Sequence, residues 1–208
     1  MGREGQGGWD FVHCFIVHFS LFIASMLIVI GSSLGGLRAL QTVLSPLPSS
    51  FAAPILIAQH RDANAESSLA ELLQNNSALK VVEAEDKMPI QNGWVYLAPP
   101  NYHLLVEGSQ CALSTEAEVN HARPSIDVLF ESAADECGKN VMGVILSGAN
   151  ADGAKGLAAI ARAGGVSVVQ DPATAEAAIM PQAAIALTAV DRILKLEEIA
   201  EFLIAKCK

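Results

Sequence analysis

A serine, a histidine and an aspartate each stand just past an apolar run in this chain. Gly31-Ser32-Ser33-Leu34-Gly35 fits Gly-x-Ser-x-Gly, a tight turn that exposes a serine hydroxyl above a sheet, with small residues that let the backbone bend. The backbone N–H groups that follow such a serine can hold an oxyanion. His60 follows the run Pro54–Gln59, and Asp152 comes four residues after Gly148, where the run from Val141 ends. In that combination the serine attacks a carbonyl and the histidine takes its proton. The acid fixes the histidine tautomer and stabilises the imidazolium. The order Ser…His…Asp differs from the Ser…Asp…His order of α/β-hydrolases, which argues against that fold but not against the chemistry.

Each residue has a plainer role open to it. The serine could cap the helix that follows, with the glycines only permitting the turn. A phosphate cradle is a third reading, but Ser33 stands where Gly-x-Gly-x-x-Gly needs its second glycine. His60 could be a hydrogen-bonded strand-end histidine, and Asp152 could cap a helix starting at Ala154. His103 and His121 are rival histidines, the first expected on the surface of a hairpin and the second able to line a cleft. Asp171 also follows an apolar run, but Pro172 makes it a turn residue.

The elements that must position these residues alternate between strand and helix. Met26–Ile30 is an unbroken apolar run, suited to a strand buried on both faces, and Leu37, Leu40, Val43 and Leu44 follow with helical spacing. Pro54–Gln59, Val141–Gly148 and Val166–Gln170 read as further buried strands. Lys80–Glu83 and Arg192–Lys195 read as short ones. Helices are expected over Asn64–Leu79, Pro124–Cys137, Ala154–Ala163, Pro181–Leu187 and Leu196–Ile204. The stretches Gln91–Pro100 and Tyr102–Val106, around a Pro-Pro-Asn turn, are expected to pair antiparallel. The whole predicts an α/β chain: a three-layer α/β/α sandwich with a mostly parallel, doubly wound sheet and an antiparallel hairpin insertion. Sites in such sheets form beyond the carboxyl ends of the strands, where Ser33, His60 and Asp152 fall.

Composition narrows the function. The 208 residues suffice for one α/β domain with a sizeable core. Half are apolar and few are aromatic, so the core is aliphatic; mean hydropathy is +0.37. A formal net charge of −9, with no basic cluster, argues against a nucleic-acid partner. Cys14, Cys111, Cys137 and Cys207 are far apart and form no Cys-x-x-Cys or Cys/His cluster, so neither a metal nor a disulfide framework is expected, and no cofactor is implied.

Residues 1–25 stand apart. Met1–Asp10 is Gly-rich and polar, and Phe11–Ser25 is uncharged and apolar apart from His13, Cys14, His18 and Ser20. A membrane span, an extension packed on the domain and a start assigned too early all compete. A span needs roughly 20 apolar residues and would have to consume the strand that aims Ser33. The favoured reading is that Met26 is the natural start, that residues 26–208 form the domain, and that nothing is stably inserted in a membrane.

Several separate motifs resemble one family. Ile30–Gly36, Ala58-Gln-His60, Val95–Pro100 with His103, His121-Ala-Arg-Pro-Ser125, Leu146–Ala154, Gln170–Thr174 and Met180–Ala184 resemble, in order, the catalytic domain of chemotaxis-receptor methylesterases of the CheB type. The resemblance implies a cytoplasmic hydrolase acting on glutamate γ-methyl esters of chemoreceptor cytoplasmic helices, with glutamine deamidation in many members. It implies Ser33 as nucleophile, His60 as base and Asp152 as orienting acid. Backbone donors at Leu34 and Ala149 would form the oxyanion site, and His121, Arg123 and Met180 would border the substrate cleft. Three departures touch the site. Leu34 stands where the family usually has Thr, Gly148-Ala149-Asn150 replaces Gly-Met-Gly, and Ile179-Met180-Pro181 replaces Gly-Met-Pro. Well-known members carry a receiver domain. The 25 residues before the first strand are too few for one, so control is expected either from a separate partner, such as a response regulator or methyltransferase protein, or to be missing.

A chain starting at Met26 is expected to be soluble and to hydrolyse ester as fast as the full chain. Expression of both lengths, cell fractionation and melting curves test this. Membrane association of the long form, or a clear loss of stability or activity in the short one, overturns it.

Overall fold

The computed structural model describes residues 26–61 and 69–207. The expectations for residues 1–25, and for the first turns of the helix read from Asn64, fall outside them. Where the apolar run begins, β1 (Leu27–Ser32) forms and runs two residues further than the run itself. After it come α1 (Gly36–Leu44), β2 (Ile55–Gln59), α2 (Leu69–Gln74), β3 (Lys80–Glu83) and β4 (Trp94–Leu97). Next are β5 (His103–Glu107), β6 (Gln110–Ser114), α3 (Ile126–Cys137), β7 (Val141–Ile145) and α4 (Ala154–Arg162). The chain closes with β8 (Val166–Gln170), α5 (Ile179–Leu187), β9 (Arg192–Leu194) and α6 (Leu196–Lys206).

One seven-stranded sheet carries the fold, in the order β3-β4-β2-β1-β7-β8-β9, and every neighbouring pair in it is parallel. Alternation along the central strand divides the core. Ile28 and Ile30 pack with Leu40, Val43, Ile199 and Leu203, under α1, α2 and α6. Leu27 and Val29 face the layer of α3, α4 and α5, with Ile126, Phe130 and Leu157. Both faces of β1 are therefore covered, which is why its sequence is continuously apolar. The chain first builds outward from β1 to one edge and then returns to build β7, β8 and β9 on the other side. The switch point lies between β1 and β7 and opens a crevice at their carboxyl ends. Among the described residues, no helix is long and apolar enough to cross a membrane.

Two expectations change here. The stretch Gln91–Pro100 does not pair with Tyr102–Val106; its strand β4 is parallel to both β2 and β3. Val95, Tyr96 and Leu97 are all buried, as an interior strand requires, and the Pro-Pro-Asn turn leads the chain out of the sheet rather than back along it. The antiparallel hairpin is β5–β6, closed across Gly108. His103, expected on the surface, is buried. Its Nε2 lies 3.1 Å from the Ala117 carbonyl and its Nδ1 accepts the Ser125 N–H at 3.2 Å, so it ties the hairpin to the start of α3.

The layer that holds the acid depends on one close approach. A Cβ added to Gly156 of α4 would lie 2.5 Å from the Phe130 Cβ and 3.0 Å from the Asp127 carbonyl oxygen of α3. In an open helix, Gly→Ala gains about 1 kcal/mol from propensity. Here the added methyl must push two backbones apart, so Gly156→Ala is expected to lower stability by about 1–3 kcal/mol, the usual cost of overpacking. That corresponds to a melting temperature lower by about 5 °C for a domain of this size. A thermal melt equal to that of the parent would show that α3 and α4 separate without cost.

Candidate active site

The turn after β1 is braced from two sides. The Ser33 N–H donates to the Ser147 carbonyl at 2.9 Å, and the Gly36 N–H donates to the Ser33 carbonyl at 2.8 Å. Gly35 takes φ 77°, in the left-handed region that favours glycine, and it is the N-cap of α1; no side chain caps that helix. The reading of the elbow serine as a helix cap therefore fails. Gln59, next to His60, holds the turn from the β2 side. Its Oε1 accepts the Ser32 hydroxyl, and its Nε2 donates to the carbonyls of Ser33 at 2.9 Å and His60 at 2.8 Å. A Cβ at Gly36 would run into the Gln59 side-chain amide and would have to displace it from these hydrogen bonds. Ser147 completes the brace: its hydroxyl donates to the Leu34 carbonyl at 2.7 Å and accepts the Ala177 N–H at 2.9 Å.

His60 and Asp152 meet across the sheet. The His60 N–H donates to the Ser32 carbonyl at 3.0 Å, which continues the parallel ladder and fixes the ring at the strand end. His60 Nε2 lies 2.8 Å from Asp152 Oδ2, with the carboxylate side chain fully buried. The same oxygen accepts the Ile126 N–H at 2.6 Å. The other oxygen accepts Asn120 Nδ2 at 2.9 Å, the Ser125 hydroxyl at 3.0 Å and the Asp127 N–H at 3.2 Å. Asp152 is thus a helix cap, but of α3; α4 starts after Gly153 with no side-chain cap.

Burial pushes the Asp152 carboxyl upward, and the hydrogen bonds from His60, Asn120 and Ile126 outweigh it, so its pKa lies below the ordinary aspartate value. Its neighbour Asp127 goes the other way. Burial raises it and the Asp152 charge adds to that, against the opposing Gly156 N–H bond. Asn120 bridges the two carboxylates, with Nδ2 2.8 Å from Asp127 Oδ2.

The remaining expected site residues are more scattered. A cleft of about 570 Å³ opens over the turn, lined by Ser33, Leu34, Leu37, Arg38, His60 and Glu176 among others. Leu34 is 56% exposed, and Leu37, read from spacing as a core position, faces this cleft instead. Ala149 is exposed on the loop between β7 and α4. On the same loop, Asn150 places Nδ2 3.2 Å from His60 Nδ1 while its Oδ1 accepts the Asp152 N–H at 3.1 Å. His121 is exposed at the tip of the Val119–Ala122 turn, with φ 61°. Arg123 donates through Nη1 to the carbonyls of Thr115 and Glu116, both at 2.9 Å, and so buckles its own loop. Met180 is buried, with its N–H on the Gly148 carbonyl at 2.9 Å. None of these last three lines the cleft that holds Ser33. Among the described residues, no group of His, Cys, Asp and Glu could hold a metal ion.

The CheB methylesterase family model matches residues 28–203. The chain belongs to this family. A protein of Leptospira interrogans, provisionally named protein-glutamate methylesterase/protein-glutamine glutaminase, is 50% identical over 178 residues, 85% of this chain and 92% of that protein. Proteins of Hydrogenovibrio crunogenus and Anaeromyxobacter dehalogenans that carry the same double name are 40% and 44% identical over 87% and 83% of this chain. The chain spans 49% and 50% of their lengths, so the likeness is confined to about half of each. Among solved structures, the CheB methylesterase catalytic domain of Thermotoga maritima superposes with a TM-score of 0.84 at 34% identity, over 88% of this chain and 99% of that one. The CheB family fold therefore extends over nearly all of the sheet and helices described above.

Asp152→Asn is expected to weaken the fold, because an amide NH₂ would face a ring of donors. The stability loss should be about 1–3 kcal/mol at neutral pH, the penalty for an unsatisfied buried group. A carboxyl with a lowered folded pKa stabilises fully above its unfolded value, about 3.9, and loses that contribution as pH falls through the folded value. The gap between parent and variant should therefore narrow in urea melts taken below about pH 4. A gap independent of pH would mean that the charge of Asp152 contributes nothing.

Proposed function

We propose that residues 26–208 form a cytoplasmic catalytic domain that hydrolyses glutamate γ-methyl esters on chemoreceptor helices, and that the same site deamidates glutamine. The single observation behind the residue assignment is the 2.8 Å contact between His60 Nε2 and the buried Asp152 carboxylate, beside Ser33 at the switch point. Against an ionised Asp152, Nε2 carries the proton in this reading and Nδ1 keeps the lone pair. Nδ1 is then the base that takes the Ser33 hydroxyl proton as Oγ attacks the ester carbonyl. The oxyanion is held by the backbone N–H groups of Leu34 and Ala149. The imidazolium returns its proton to the departing methoxide, or to the departing amide nitrogen of glutamine, which leave as methanol or ammonia. Water, activated by the same nitrogen, then cleaves the acyl-serine and restores the free enzyme. Family membership and the double name of its relatives support the substrate class.

Methanol release from methylated receptor membranes tests the reading. Ser33→Ala should abolish it, a loss of up to about 10⁶ in turnover by analogy with triad nucleophiles. Ser32→Ala should remain active, because that hydroxyl is buried against Gln59 rather than open to the cleft. A dead Ser32→Ala beside an active Ser33→Ala would overturn the assignment. An active-site serine probe that fails to label the parent would overturn hydrolysis itself.

A further inference from the structure

The lone pair that the proposed reaction needs is already occupied. Asn150 cannot be oriented otherwise: its Oδ1 takes the Asp152 N–H at 3.1 Å, so its NH₂ group is what faces the imidazole. The imidazole cannot be turned over either, because Nε2 is committed to Asp152. The 3.2 Å contact between Asn150 Nδ2 and His60 Nδ1 is therefore an N–H donated to the base's only lone pair. No such bond comes from Ser33 in this state. One short side chain thus links the backbone of the acid to the free nitrogen of the base.

We propose that Asn150 is a positioning residue that caps His60 Nδ1 in the resting enzyme, so that the base must exchange the Asn150 amide for the Ser33 hydroxyl before it can act. This rests on the reading of Ser33 and His60 as nucleophile and base. Capping has two effects. It holds the ring upright against Asp152, with the reactive nitrogen directed along the loop. It also stabilises the neutral imidazole, because the imidazolium has no lone pair to offer the amide. Other charges near His60 do not reproduce this contact. Asp152 faces the opposite nitrogen, Arg38 and Glu176 share the cleft, and Arg61 is paired with Glu83 at 2.6 Å.

The test follows the labelling rate of Ser33 by a fluorophosphonate probe as a function of pH, in the full chain, with Ser33→Ala as the blank. Asn150→Ala removes the cap. Its acid limb should move to higher pH by about half a unit or more, and its plateau rate should rise about threefold to tenfold, the scale of one net neutral hydrogen bond. Asn150→Asp keeps the acceptor for the Asp152 N–H but replaces the donor with a charge. Its acid limb should move further than that of Asn150→Ala. A plateau that falls or stays unchanged in Asn150→Ala, or an acid limb that stays in place, overturns the capping role. The ¹⁵N resonance of His60 Nδ1 reports the contact without any reaction. It should move in Asn150→Ala at a pH where the ring is neutral, and an unmoved resonance would also overturn the proposal. Absence of labelling in the parent would instead condemn the hydrolase reading, and the resonance would then decide the Asn150 contact alone.

Discussion

A fully buried carboxylate at the seam of the sheet sets the terms for its surroundings. Removing such a charge from water costs several kcal/mol unless donors replace the lost hydration. Asp152 finds them on three elements: the ring of His60 from β2, the first N–H groups of α3, and Asn120 and Ser125 from the loop before that helix. The N-terminus of α3 favours a negative charge there in addition. These partners come from both halves of the sheet, so the carboxylate is also what joins them at the crevice.

Nearby packing follows from that requirement. The start of α3 must point at the loop between β7 and α4, which brings α3 and α4 into the contact that only a glycine at position 156 permits. Asp127, in the first turn of α3, returns the favour by accepting the Gly156 N–H at 2.8 Å. Each helix thus donates backbone hydrogen bonds to an acid on or just before the other. Asp127 remains a buried carboxylate pushed toward protonation by burial and by its neighbour, while Asn120 lies between the two and donates to both.

Periodicity and punctuation made most of the layer order legible. Apolar runs ending in polar residues placed β1, β2 and β7 and the three residues beyond them, because buried parallel strands leave a plain trace in sequence. The parallel pairing of β4 was not legible, since Trp94–Leu97 carries no mark of which neighbour it joins, and the Pro-Pro-Asn turn suggested a reversal. His103 failed for a related reason: a histidine in a short hairpin gives no sign that the start of α3 will cover it. Gln59, Asn120 and Ser147 act through side-chain contacts at sequence separations of 26 to 113 residues on at least one partner, beyond the reach of any local pattern. Asn120 takes a left-handed turn conformation that asparagine tolerates, but its sequence neighbours do not mark it. Asn150 stood out only as a departure from the family's glycine, which said nothing of its contact with His60.

The location of the charges separates two parts of this enzyme's work by their response to ionic strength. The Asp152 side chain is fully buried, and mobile ions cannot enter to screen its pull on His60. At the mouth of the cleft the opposite holds. Arg38 and Glu176 are exposed, and the chain as a whole carries a net charge of −9, so the approach of any charged partner takes place in solvent over distances that salt shortens. Interactions at the mouth of the cleft are therefore tuned by the surrounding electrolyte, while the contact between Asp152 and His60 is insulated from it.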